Sequence, residues 1–216
     1  MKPVFLRAAV SRRVLLQGAG AVALTGCSSN LIGPPPAPQT YVLRPAFGPV
    51  TAAANVSWQL VIAVPNAPEV LDTERIALER APNTMDYYAN SQWTDRVPLL
   101  VQSLVVEAFE KSGRINAVGR ESAGIRPDYI LDAEIRDFSA HYTAPDTLPK
   151  VRVGIGTKLV GSLNREVIGS AAFEEEAPSA ANNMANITAA FTQAAGAAVS
   201  RIVEWTLQLR VPHPSR

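Results

Sequence analysis

The sequence predicts a two-layer α+β domain, a mixed, largely antiparallel sheet carrying two long helices packed on one face. Three observations predict it. Short runs alternate apolar and polar residues with the period of two that a half-buried strand requires. Two longer runs repeat apolar residues at three-then-four spacing, which draws one continuous stripe along a helix. The order along the chain is strands, helix, strands, helix, which stacks most simply as one sheet beneath two helices.

At 216 residues the chain is long enough for one domain with extensions. Residues 1–26 carry Lys2, Arg7, Arg12 and Arg13 ahead of the apolar run Val14 to Leu24, too short and glycine-rich to span a bilayer, and so predict a secretory signal. Ser11-Arg12-Arg13-Val14-Leu15-Leu16 resembles a twin-arginine signal; a plain basic start is the other reading, and both stay open. Leu24-Thr25-Gly26-Cys27 resembles a bacterial lipobox, in which the cysteine sulfur is acylated and the preceding peptide removed. Cys27 is the only cysteine, so no intrachain disulfide forms. Ser28 follows it in place of an aspartate, which in the sorting rule of enteric bacteria directs a lipoprotein to the outer membrane. Residues 27–49 hold Pro34, Pro35, Pro36 and Pro38 and predict an extended, semi-rigid tether. Removing the four bases of the signal turns the net charge of +1 into −3, which takes most support from nucleic-acid binding.

Residues 50–211 make the domain, with 212–216 as a tail. Tyr41-Val42-Leu43 is a candidate first strand, and the apolar run Trp58 to Val64 a strand covered on both faces. In Arg75 to Arg80, Ile76 and Leu78 face one way and Arg75, Ala77 and Glu79 the other. Turn residues at 81–84 and the aromatic run Met85 to Tyr88 complete a hairpin. Trp93 lies in the loop that follows. Thr94 or Asp95 caps a helix that tolerates Pro98 in its first turn, runs through Val97, Leu100, Val101, Leu104, Val105, Ala108 and Phe109, and stops at Lys111 and Gly113.

Ile115 to Val118 is a short strand. Asp128 to Phe138 alternates until its apolar positions slip to Phe138, Ala140 and Tyr142, which predicts a bulge or bend near Arg136 and Asp137. Val151 to Leu159 and Arg165 to Phe173 flank a turn and form another hairpin. The stripe Met184, Ile187, Phe191, Ala194, Ala198, Ile202, Trp205 and Leu209 predicts a final helix from about Asn182 to Leu209, roughly 35–40 Å long at ~1.5 Å per residue.

The order Leu71-Asp72-x-x-Arg75-Ile76, then Tyr87-Tyr88, then Trp93, a proline and a long amphipathic helix resembles the ABC-type transport auxiliary lipoprotein family. The resemblance implies a periplasm-facing lipoprotein working beside a lipid-transport system that contains an MCE-domain protein.

Groups for catalysis are sparse. His141 and His213 are the only histidines, no serine sits in a nucleophile elbow, and no histidine pair has metal-ligand spacing. Gly154 and Gly156 fit no phosphate-binding fingerprint and read as strand glycines; Glu174, Glu175 and Glu176 alternate faces on a strand and read as a solvated charge run. No catalytic residue, cofactor or metal is assigned. Tyr87, Tyr88, Trp93 and Arg96 have two readings, core filling or an exposed aromatic surface for an MCE-domain partner or a neighbouring copy of the chain. Three functions follow. The first is a non-enzymatic accessory lipoprotein of an MCE-type ABC system moving lipids or other apolar molecules across the cell envelope, the second an envelope scaffold lipoprotein, the third a periplasmic hydrolase.

Overall fold

The computed structural model describes residues 37–51, 55–80 and 83–211. In chain order they form β1 (Gln39–Tyr41), β2 (Val56–Ile62), β3 (Arg75–Arg80), β4 (Thr84–Trp93), α1 (Val97–Ser112), β5 (Ile115–Arg120), β6 (Tyr129–Tyr142), β7 (Lys150–Gly161), β8 (Val167–Pro178) and α2 (Met184–Gln208). The predicted signal, Cys27 and the tail lie outside the described residues.

β6 is the axis of the sheet. One edge carries β7 along nearly its whole length, antiparallel, and β8 follows β7 in the same sense. The other edge is shared in sequence. β2 pairs parallel with Tyr129 to Leu131, Asn66 bridges to Glu134, and β3 pairs parallel with Ser139 to Tyr142. β5 extends the sheet from β2, and β4 then β1 extend it from β3. The sheet therefore forks around β6, with long antiparallel ladders and short parallel ones. The register of β6 on β7 shifts between Ile135 and Asp137, where the apolar phase slips, so the bulge sits at Arg136.

Both helices lie on one face and touch each other, α1 over β2 and β5, α2 over β7 and β8. Gly113 ends α1 at φ 61°, the left-handed conformation that a glycine adopts without a Cβ clash. The N-cap of α1 is Arg96, not the predicted Thr94 or Asp95, and makes no side-chain capping bond; Asp95 instead accepts the Arg96 N–H at 2.8 Å. Asn183 caps α2 by accepting the N–H of Asn186 at 3.0 Å.

Three expectations change. Trp93 ends β4 inside the core and is not in a loop. Ala77 is buried like Ile76 and Leu78, although Arg75 and Glu79 on its own face keep surface. The folded unit begins at Pro38, ahead of the predicted boundary at residue 50. Leu43 joins the core, the Gly48 N–H donates to Ser200 Oγ at 2.9 Å, and the Thr51 N–H donates to the Glu204 carboxylate at 2.8 Å. Residues 43–51 are thus a strap across α2. Gly196 makes room for it, since a Cβ there would lie 2.7 Å from Pro45 Cβ.

Candidate functional site

The four side chains singled out as a partner surface do not gather into one patch. Tyr87 and Tyr88 are consecutive on β4 and so point to opposite faces of the sheet. Tyr87 lies under the Arg75 guanidinium, 3.7 Å from its ring centre, and its hydroxyl donates to the Val70 carbonyl at 3.0 Å. Arg96 stands at the start of α1, half exposed and ion-paired with Asp72. Trp93 is 0% exposed, set edge-on to Phe138 and Phe191 with ring centres 6.1 and 5.1 Å away. Of its two readings, core filling is the one that this burial gives, because a fully covered ring has no surface to offer a partner. Its Nε1 has no hydrogen-bond partner among the described residues, so the indole ring is held by packing.

Tyr88 faces the helix side of the sheet. There it meets Tyr142, the last residue of β6, hydroxyl to hydroxyl at 2.9 Å, and Tyr142 donates onward to Asn182 Oδ1 at 2.8 Å. Burial holds the Tyr88 phenol well above its ordinary pKa, with the Tyr142 hydrogen bond adding to it and the nearby Arg80 charge opposing. Around this pair Arg80, Pro145, Asp146 and Asn182 line an open pocket of about 470 Å³, built from β3, β4, β6, the β6–β7 loop and the approach to α2.

The opposite face of the sheet carries a polar network that sequence reasoning missed. Asp137, Ser139 and His141 sit at alternate positions of β6 after the bulge and so share the helix-free face. His141 places Nδ1 3.1 Å from Glu79 Oε2 on β3 and Nε2 2.8 Å from Asp137 Oδ2. Ser139 donates to Asp137 Oδ1 at 2.6 Å. Arg152 on β7 reaches Asp137 at 3.8 Å and Glu176 on β8 at 2.8 Å. The sequence signal was the D-x-S-x-H spacing beside a phase slip.

The combination of serine, histidine and acid invites a nucleophilic reading, since Ser139 Oγ is 3.0 Å from His141 Nε2. However, Ser139 is 2% exposed, its proton belongs to Asp137, and the same Nε2 lies closer to Asp137. The arrangement clamps four strands together. Among the described residues no group of three or more His, Cys, Asp or Glu side chains is placed to hold a metal ion. Here the two carboxylates sit on opposite sides of one imidazole and do not converge. Glu175 and Glu176 point to opposite faces, toward Arg201 on α2 and Arg152 respectively.

Among the described residues no helix is long and apolar enough to cross a membrane. A family model described as the ABC-type transport auxiliary lipoprotein component matches residues 41–203. The chain is similar to an uncharacterised protein, bll6063, of Bradyrhizobium diazoefficiens, 29% identical over 175 residues; the match covers 81% of this chain and 46% of the relative, so the chain spans about half the relative's length. Among solved structures it is similar to protein XCC0632 of Xanthomonas campestris, with a TM-score of 0.73 and 34% identity over 78% of this chain and 94% of that one. A further uncharacterised protein shares the fold at a TM-score of 0.62 and 12% identity, covering 79% of this chain and 99% of that one.

Proposed function

This chain belongs to the ABC-type transport auxiliary lipoprotein family, and from that premise we propose that it is a non-enzymatic accessory subunit of an MCE-type ABC system that moves lipids or other apolar molecules across the cell envelope. The observation that carries the reading is the family match over residues 41–203, which takes in almost the whole folded unit from Pro38. The chain is held at the membrane through acylated Cys27, faces the periplasm and sits on the outer membrane. Its partners are the MCE-domain protein and, for an oligomer, further copies of itself.

The polar network supports a structural role for these side chains over a catalytic one, because its only serine is buried and its histidine is occupied on both nitrogens. Tyr87, Tyr88 and Arg96 keep surface and are the side chains proposed to meet a partner, each able to carry upward of ~2 kcal/mol of binding when truncated.

The test is purification of the tagged protein from membranes with identification of what accompanies it. Recovery of an ATPase, a permease and an MCE-domain protein supports the reading; recovery of cell-wall assembly proteins in their place favours the scaffold alternative and overturns this one. Cys27→Ser should shift the protein out of the membrane fraction or leave an uncleaved precursor, and density-gradient separation of the two membranes reads the location. Tyr87→Ala and Arg96→Ala, neither of which lines the pocket, should melt like the parent and recover less MCE-domain protein.

A further inference from the structure

We propose that the pocket between the β3–β4 hairpin and the start of α2 binds a small zwitterion, a phosphate or carboxylate with an ammonium group a few bonds away. The inference goes beyond the transport reading and does not depend on it.

Charge carries it. Arg80 and Asp146 both line the pocket, and neither has an opposite charge within ion-pair distance among the described residues, including each other. Of the other arginines in the strands, Arg136 pairs with Glu134 and Arg152 with Glu176, whereas Arg75 lies over the Tyr87 ring and Arg120 donates to Ser103 Oγ. An unmatched cation and an unmatched anion in one concavity complement a ligand that carries both. The guanidinium presents a planar fork of donors to a carboxylate or phosphate, and the Asp146 carboxylate accepts from an ammonium.

The tyrosine pair defines what is left between them. Tyr142 gives its proton to Asn182, so the shared bond requires Tyr88 to give its proton to Tyr142. Neither phenol has a proton left for a ligand anion, and that task falls to Arg80. The Tyr88 oxygen keeps free lone pairs and, with the ring faces, favours a cation. Because burial raises the Tyr88 pKa, the phenol stays neutral and does not compete for Arg80. At about 470 Å³ the pocket lies within the range of small-molecule sites.

The same chemistry occurs on a membrane phospholipid and on a free metabolite, and the experiment separates them. Purified full-length protein is titrated by calorimetry with glycerophosphoethanolamine, glycerol phosphate and ethanolamine. The zwitterion should bind about tenfold tighter than either fragment, a difference of ~1.4 kcal/mol. Arg80→Gln should weaken zwitterion binding about tenfold and Arg80→Lys by less, whereas Asp146→Asn should abolish the preference for the zwitterion while leaving glycerol phosphate bound. Both positions are exposed, so all variants should melt with the parent. Tighter binding of monomeric dihexanoyl phosphatidylethanolamine than of glycerophosphoethanolamine identifies a lipid as the source; equal binding identifies a free zwitterion. Failure of all three soluble probes, equal affinity for zwitterion and anion, or indifference to both substitutions overturns the proposal. Binding here without any transporter in the pull-down would leave it standing and sink only the transport reading.

Discussion

The two faces of β6 are built by alternate residues of one strand, yet they hold the fold together in opposite ways. Toward the helices, Phe138 stacks on Phe191 of α2 at 5.3 Å and Trp93 closes over both edge-on. Stability there comes from excluded water and close packing, which depend on volume and hardly on charge. Toward the open side, Asp137, Ser139 and His141 link β3, β6, β7 and β8 through hydrogen bonds. Stability on that side depends on every polar partner being present and little on volume. A strand of 14 residues can thus be a hydrophobic floor and a polar clamp at once.

The comparison breaks first at Trp93. Trp93→Ala should cost ~3–5 kcal/mol through lost burial and the cavity left beside Phe138 and Phe191. Chemical denaturation measures it, and a loss under about 1 kcal/mol would mean that the covered face does not depend on packing. On the open face, Asp137→Ala removes the group that joins Ser139, His141 and Arg152. It should cost ~1–3 kcal/mol by leaving their donors unsatisfied, with Asp137→Asn recovering part.

Two glycines sharpen the contrast. Gly196→Ala would ordinarily gain ~1 kcal/mol in a helix interior, but the new methyl meets Pro45, whose ring cannot move aside, and the net effect should be a loss of ~1–3 kcal/mol by overpacking. Gly156→Ala on the open face meets the end of the Arg136 side chain, which is free to swing into solvent, and stability should change by under ~0.5 kcal/mol. Thermal melts of the pair decide it, and equal effects would refute the difference in rigidity.

The smallest effect belongs to the end of the strap. Hydrogen bonds from Thr51, side chain first and backbone second, hold the Glu204 carboxylate below its ordinary pKa. A lowered folded-state pKa means that this contribution is present above the ordinary glutamate range and fades as pH falls through the folded-state value. Glu204→Gln should therefore flatten the acid limb of stability against pH and leave the neutral region nearly unchanged, and an unchanged acid limb would show that the strap end adds nothing.

Much of this fold was legible because the signals are local. Periods of two and of three-then-four located the strands and both helices, Gly113 marked the end of α1, and the phase slip beyond Ile135 announced the bulge. The site was less legible. Tyr87, Tyr88, Trp93 and Arg96 are neighbours in sequence, but strand alternation and a buried strand end send them to different surroundings. The strap was hidden because proline-rich composition describes a free chain and is silent on the groove that receives it.

By itself the sequence determined which elements form and in what order, since periods of two and of three-then-four follow from dihedral preferences and side-chain spacing within a few residues. The tertiary structure alone decided that β2 and β3 share one edge of β6, that Trp93 is enclosed, and that residues 80, 88, 142, 146 and 182 meet around one pocket. Those outcomes depend on contacts between segments distant along the chain, and which of them form is settled by burying the most apolar surface while leaving few polar groups unpaired.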